Sequence, residues 1–318
     1  MSRIPEPTST PQGPMYEGRL LDRADEEVVD QGVAFDLRTL MSRRGLLIGG
    51  GLGLGAVLLA ACAPAATGSS SGTPAPTPSA TGTAADAAIT EIPDETAGPY
   101  PGDGSNGPDI LDEAGIIRQD IRSSIDGGAT ADGVPLSFEM QILDLANGGV
   151  PFAGVAVYAW HCNAQGEYSL YSSGLEDISY LRGVQVADDD GRVSFTSVFP
   201  GCYSGRWPHI HFEVYPDAAS ITEASNAIAT SQLALPEDAC GAVYAKTAYA
   251  GSAGNLARIT LTSDNVFGDD GGASQLATMT GSADGGYTAT LVVGVDTTTV
   301  PSAGSVPGGG GGGRPPGN

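Results

Sequence analysis

The chain has 318 residues, with 14 Lys plus Arg against 37 Asp plus Glu and a formal net charge of −23. A surface of that sign repels nucleic acid and anionic lipid headgroups and does not recruit polyanionic substrates. The length holds one or two domains.

The N-terminal region reads as an export leader. Ser42, Arg43, Arg44 and Gly45 precede an apolar, glycine-rich run over residues 46–61, a twin-arginine pattern. The run is too short and too rich in glycine for a comfortable membrane span. It ends in Leu59, Ala60, Ala61 and Cys62, which looks like a bacterial lipobox, so residues 1–61 are expected to be a twin-arginine lipoprotein signal and Cys62 a lipidated N-terminus. An uncleaved anchor helix is the alternative. Residues 62–90, dominated by Ala, Thr, Ser, Pro and Gly, cannot bury a core and are expected to form a disordered tether. Residues 301–318, rich in Gly and Pro, are expected to be a disordered tail. The expected product is one exported domain, residues 91–300, on the outer face of the cell membrane or outside the cell. Its membrane contact would be the lipid anchor alone.

Within that domain the periodicity is mostly of period two. Leu136, Phe138, Met140 and Ile142 alternate with more polar residues, and Asn147-Gly148 is a turn signal. Val155 and Val157 oppose Tyr158 and Trp160, and Val193 and Phe195 continue the alternation. Further strands are expected from His209 to Val214 and over residues 257–261, 276–280 and 287–295, with a short helical turn over residues 223–228. The expected fold is all-β: a β-sandwich of transthyretin- or Ig-like arrangement, with long loops and few short helices.

His209 and His211 are two of only three histidines and lie one residue apart. On a strand both imidazoles share a face, while Ile210, Phe212 and Val214 take the other. Tyr203 and Arg206 lie just upstream, and Tyr168 follows the strand that ends at Trp160. Imidazole suits zinc, copper, iron or nickel. Phenolate is a hard anionic donor suited to a trivalent ion, so two Tyr with two His favour mononuclear, non-haem ferric iron. His161 reads as structural.

The run from Asp190 to Tyr203, followed by Arg206, His209 and His211, resembles the core signature of intradiol ring-cleavage dioxygenases, a family that includes the catechol 1,2- and protocatechuate 3,4-dioxygenases. Upstream, Thr96-Ala97-Gly98-Pro99-Tyr100, residues 117–121 and residues 155–169 resemble family segments in the same order, and the likeness covers residues 91–295. The resemblance implies a Fe(III) cofactor held by Tyr168, Tyr203, His209 and His211. Tyr168 would be the retained phenolate and Tyr203 the one that leaves when substrate arrives. Arg206 would sit beside the substrate ring, with Gln232 at the same pocket. Tyr171 and Tyr180 compete with Tyr168 and rank below it, because neither follows its Gly-x-Tyr-Ser pattern. The implied partners are a catechol-type aromatic and O2, and the implied product is a muconate-type diacid. Few residues separate Tyr203 from His209, and the leader and tether occupy the place of a helical dimerisation region, so the chain resembles the secreted, single-domain branch. Two other classes stay open: a secreted β-sandwich binding module, and a zinc or copper protein using His209 and His211 with a carboxylate such as Glu213.

With Cys62 lipidated, Cys162, Cys202 and Cys240 are left. A Cys202–Cys240 disulfide is expected in an oxidising compartment, with Cys162–Cys202 as the alternative pairing.

Overall fold

The structure is a computed structural model describing residues 89–301 and the backbone of residues 8–10, 13–16 and 19–20. The chain divides into two units, Met1–Ala85 and Asp86–Asn318. In the first, β1 (Thr8–Thr10), β2 (Gly13–Tyr16) and β3 (Arg19–Leu20) form an antiparallel meander. The twin-arginine run, Cys62, the tether up to residue 88 and the tail beyond residue 301 lie outside the described residues.

The second unit holds two sheets. The four-stranded sheet runs β10 (Ala229–Ala234), β9 (His209–Tyr215), β6 (Ala156–Trp160), β7 (Arg182–Val186), antiparallel throughout. The five-stranded sheet is built around β4 (Pro135–Asp144). β4 pairs in parallel with β12 (Gly286–Val295), which carries β11 (Thr278–Ser282). It pairs antiparallel with β8 (Arg192–Val198) and, at its far end, with β5 (Val150–Pro151).

The period-two pattern supplies the core. Leu136, Phe138, Met140 and Ile142 of β4 meet Val157 and Ala159 of β6 and Ile210, Phe212 and Val214 of β9 in one apolar cluster. Phe138 and Phe195 lie directly opposite in register and stack at 4.9 Å. The sandwich expected from the sequence is therefore the one observed. The outer face of the four-stranded sheet is covered as well: Tyr158, Trp160 and Tyr215 pack there under Ile110, Ile116 and Tyr168. This second layer places the long loops where a site can be assembled.

Two expectations are corrected. Residues 257–261 form no strand. A short helix, Ser252–Leu256, ends there, and Leu261–Ser263 is a single 3-10 turn closed by a reciprocal cap between Thr260 and Ser263. The strand expected at 276–280 starts two residues later, at Thr278. The short helical turn expected over 223–228 is present, as a 3-10 turn over Ala224–Asn226. A helix, α1 (Glu237–Tyr244), was not anticipated, although Pro236 ahead of it and Glu237 and Asp238 in its first turn are start signals.

The expected Cys202–Cys240 disulfide is absent, as is the Cys162–Cys202 alternative: all three are buried free thiols. Each sulfur lies against a backbone carbonyl instead, Cys162 against Gly201 at 3.4 Å, Cys202 against Arg206 at 3.6 Å and Cys240 against Leu235 at 3.9 Å. Burial pushes the Cys202 thiol up to about 12, so it stays protonated and unreactive.

Candidate metal centre

β9 projects His209 and His211 from the sheet face opposite Ile210, Phe212 and Val214. Their Nε2 atoms lie 3.1 Å apart, with the rings edge to face at 79°. His209 Nδ1 meets the Trp207 carbonyl at 2.5 Å, which makes Nδ1 the donor and leaves a lone pair on Nε2. The His211 ring lies flat on Trp160, centroids 4.9 Å apart at 6°.

The two tyrosines arrive on separate loops. Tyr203 follows β8, and its hydroxyl is 3.2 Å from His209 Nε2. Tyr168 follows β6; its ring is 5.9 Å from Tyr203 and 6.3 Å from His211. The two loops touch backbone to backbone at Gly201, whose N–H donates to Asn163 at 2.9 Å and where a Cβ would lie 2.6 Å from the Ala164 carbonyl. Only glycine allows that approach. The opening motif closes the site from another side: a Cβ on Gly98 would come within 3.2 Å of His211 Cε1, and the Tyr100 ring lies 4.9 Å from Tyr168.

The donors suit a metal cation. The Tyr168 hydroxyl is buried without a hydrogen-bond partner, and the Tyr203 ring stands beside it. Buried polar groups rarely go unpaired, and those that do call for an explanation. Burial, reinforced by Arg206, lowers His209 to about 3, and burial holds His211 well below its usual range, so both imidazoles are neutral. Burial raises Tyr203 to about 12 and Tyr168 well above a free phenol. A trivalent cation among these atoms would reverse the phenol preference and give each donor a common partner.

Among the described residues no group of three or more His, Cys, Asp or Glu forms a metal cluster. Glu213, the third ligand of the zinc or copper alternative, instead accepts a hydrogen bond from the Tyr215 hydroxyl at 2.8 Å, and burial raises its carboxyl to about 8.

Arg206 and Gln232 also come together. Gln232 lies opposite His211 in the β9–β10 register. Its Oε1 accepts from Arg206 Nη2 at 2.6 Å, and its Nε2 donates to the Thr96 carbonyl at 2.9 Å. Sequence reasoning missed Asp264, which receives Arg206 Nε at 3.0 Å and the Trp207 N–H at 2.6 Å. Burial pushes against the Asp264 carboxylate, but Arg206 and the converging N–H groups hold it below its usual range. No periodic pattern marks Asp264, because it lies in a loop 58 residues from Arg206.

The competing tyrosines are engaged elsewhere: the Tyr171 hydroxyl between the Gly102 N–H and Asn106, and that of Tyr180 with Asn163. His161 is structural, held by Ser197 at 2.7 Å and the Cys162 carbonyl at 2.8 Å. Residues 117–121 brace the sheets rather than line the site, with Arg118 donating to the Arg182, Ser179 and Ser123 carbonyls. A shallow groove of about 590 Å³, lined by Gly133, Val134, Lys246, Thr247 and Tyr249, contains none of the predicted site residues.

Glu95, half-buried beside this region, gives a pH prediction. Burial, with help from Asp269, raises its carboxyl to about 7. A carboxyl raised in the fold stabilises it while protonated, fully below its unfolded value, and loses that contribution as pH rises through about 7. The melting temperature of the wild type should therefore decline between weakly acidic and neutral pH, and Glu95→Gln should flatten that decline. Parallel slopes in the two proteins would contradict the assignment.

Comparisons with known proteins point one way. A family model described as Dioxygenase matches residues 105–222. The chain is 31% identical over 88 residues to a chlorocatechol 1,2-dioxygenase of Rhodococcus opacus, covering 22% of this chain and 34% of that protein. It is 33% identical over 90 residues to a catechol 1,2-dioxygenase of Pseudomonas sp. (strain EST1001), covering 28% of this chain and 29% of that protein. The chain thus spans about a third of the length of the curated relatives it matches. Among solved structures, an intradiol ring-cleavage dioxygenase from Tetranychus urticae shares the fold, with a TM-score of 0.51 and 22% identity, covering 67% of this chain and 97% of that one.

Proposed function

Because the chain belongs to the intradiol ring-cleavage dioxygenase family, we propose that it is a non-haem Fe(III) enzyme that inserts both atoms of O2 into a catechol-type ring and releases a muconate-type diacid. The observation that carries this reading is the convergence of four neutral donors, Tyr168, Tyr203, His209 and His211, with the Tyr168 hydroxyl buried and unpartnered. When bound, ferric iron would supply the Lewis acidity that draws a catechol in as its dianion.

The remaining roles belong to the chain. His209 and His211 present Nε2, and the Trp207 carbonyl fixes the His209 tautomer. Tyr168 sits in the interior, engaged by no group outside the donor set, and would be the retained ligand. Tyr203 is part-buried on its loop and is the ligand expected to move; held as a phenolate by a bound ferric ion, its Oη would be the base that accepts a catechol proton. Arg206, oriented by Asp264 and Gln232, places fixed positive charge where the ring becomes electron-rich. Tyr100 and Trp160 wall the site and limit water. We further propose that the domain is exported by the twin-arginine route and held by lipid at Cys62.

The test is turnover of catechol by the iron-loaded full chain under isotopically heavy O2. Two heavy atoms in a muconate product support the reading. Catechol recovered unchanged from an iron-loaded protein would overturn it and favour a binding module.

A further inference from the structure

Arg182, at the start of β7, is 1% exposed and takes no part in the donor set. Its guanidinium donates to the carbonyls of Pro101 at 2.6 Å and Tyr100 at 2.9 Å on one loop. On another it donates to the Ser169 hydroxyl at 3.0 Å and the Ser169 carbonyl at 2.9 Å. The Tyr158 hydroxyl, at 3.0 Å, completes the set. None of these acceptors is a carboxylate.

Burying a cation among neutral acceptors is expensive, and a packed apolar side chain would fill the space at lower cost. A guanidinium does one thing an apolar filler cannot: its rigid fork of donors binds two chain segments at once. The two segments tied here are the one carrying Tyr100 and the one carrying Tyr168, whose rings lie 4.9 Å apart.

The backbone around these contacts is strained in the same place. Leu170, next to Ser169, has φ 69°, and Leu181, next to Arg182, has φ 58°; among the described residues no other non-glycine has positive φ. Such conformations persist only where the surroundings over-determine them, and they cluster at functional sites. On the opposite side, Gly102 has φ 68°, and a Cβ there would come within 2.9 Å of Arg182 Nη1. The Tyr100 segment reaches the guanidinium because that residue is glycine.

Building on the ring-cleavage reading, we propose that Arg182 is a positioning residue of the site: it locks Ser169, and with it the Tyr168 phenol, against the Tyr100 segment. It touches neither metal donors nor substrate and acts through Tyr168.

The test compares the full-length wild type with Arg182→Lys, Arg182→Met and Ser169→Ala. Nitration of Tyr168 in the metal-free chain, read by mass spectrometry, reports its burial, and Tyr244 in the sandwich core is the internal control. The iron-loaded proteins are then read for the energy of the tyrosinate-to-iron absorption band and for kcat and KM on catechol. Arg182→Lys should expose Tyr168 but not Tyr244 to nitration, shift the band, and lower kcat by about tenfold to a hundredfold with a smaller change in KM. Ser169→Ala should move every readout the same way by less, and it carries the test if Arg182→Met fails to fold. Folded variants with lower melting temperatures but unchanged nitration, band and kcat would overturn the inference. A wild type that shows no band while the variants still expose Tyr168 would sink the ring-cleavage reading and leave the positioning role standing.

Discussion

Replacing His211 with alanine should abolish ferric binding and lower catechol cleavage by on the order of a thousandfold or more, since loss of a mere outer-shell partner already costs ten- to a hundredfold. His211 is 3% exposed and lies flat against Trp160, so its loss leaves a buried gap beside the indole. Its Nε2, 3.1 Å from that of His209, is one of only two imidazole donors in the cluster. The matched control is His161→Ala. His161 is equally buried, but its nitrogens are spent on Ser197 and a backbone carbonyl. That variant should lose thermal stability and keep its iron. Metal analysis of the two proteins after identical ferric reconstitution checks the prediction. Retained iron in His211→Ala, or lost iron in a folded His161→Ala, would contradict the assigned donor set.

The second large effect is on stability. Asp264→Ala should cost about 3–5 kcal/mol, the usual consequence of breaking a buried ion pair from one side. The Asp264 side chain is 0% exposed and the Arg206 side chain 13%, so the stranded guanidinium has little water to turn to. The carboxylate also accepts N–H groups from Trp207, Val266 and Phe267, and these lose their acceptor together. A domain of this size should melt on the order of 10 °C lower. Adding Arg206→Met should recover part of that loss, because removing both charges leaves no buried ion unpaired. A single variant within about 2 °C of wild type would mean that Arg206 re-solvates freely and that Asp264 does not hold it.

Much of the centre was readable in the sequence because it rests on period two. The spacing of His209 and His211 alone puts both imidazoles on one face and Ile210 and Phe212 in the core, and β9 carries that out. Gln232 rests on the family resemblance alone, and the register that sets it against His211 is not legible in the sequence. β10 is Ala-Thr-Ser-Gln-Leu-Ala, buried on both faces, so it shows none of the alternation that marks a half-exposed strand. Asp264 and Arg182 were missed for a related reason. Their partners lie 58 and 81 residues away, joined by loops whose paths depend on turn chemistry rather than on periodicity. The strand expected at 257–261 failed where the reciprocal cap of Thr260 and Ser263 outcompeted a short apolar alternation. The cysteine pairing rests on count and an oxidising compartment, whereas thiol geometry is set by loop paths that bring each sulfur to a carbonyl.

The absorption spectrum of the ferric-loaded full chain, recorded before and after anaerobic addition of catechol, tests the central claim most directly. Coordination by Tyr168 and Tyr203 predicts a visible tyrosinate-to-iron band, a shift when catechol enters, and bleaching of the shifted band once air is admitted. A colourless protein that takes up no iron, or a band that ignores catechol, would contradict it.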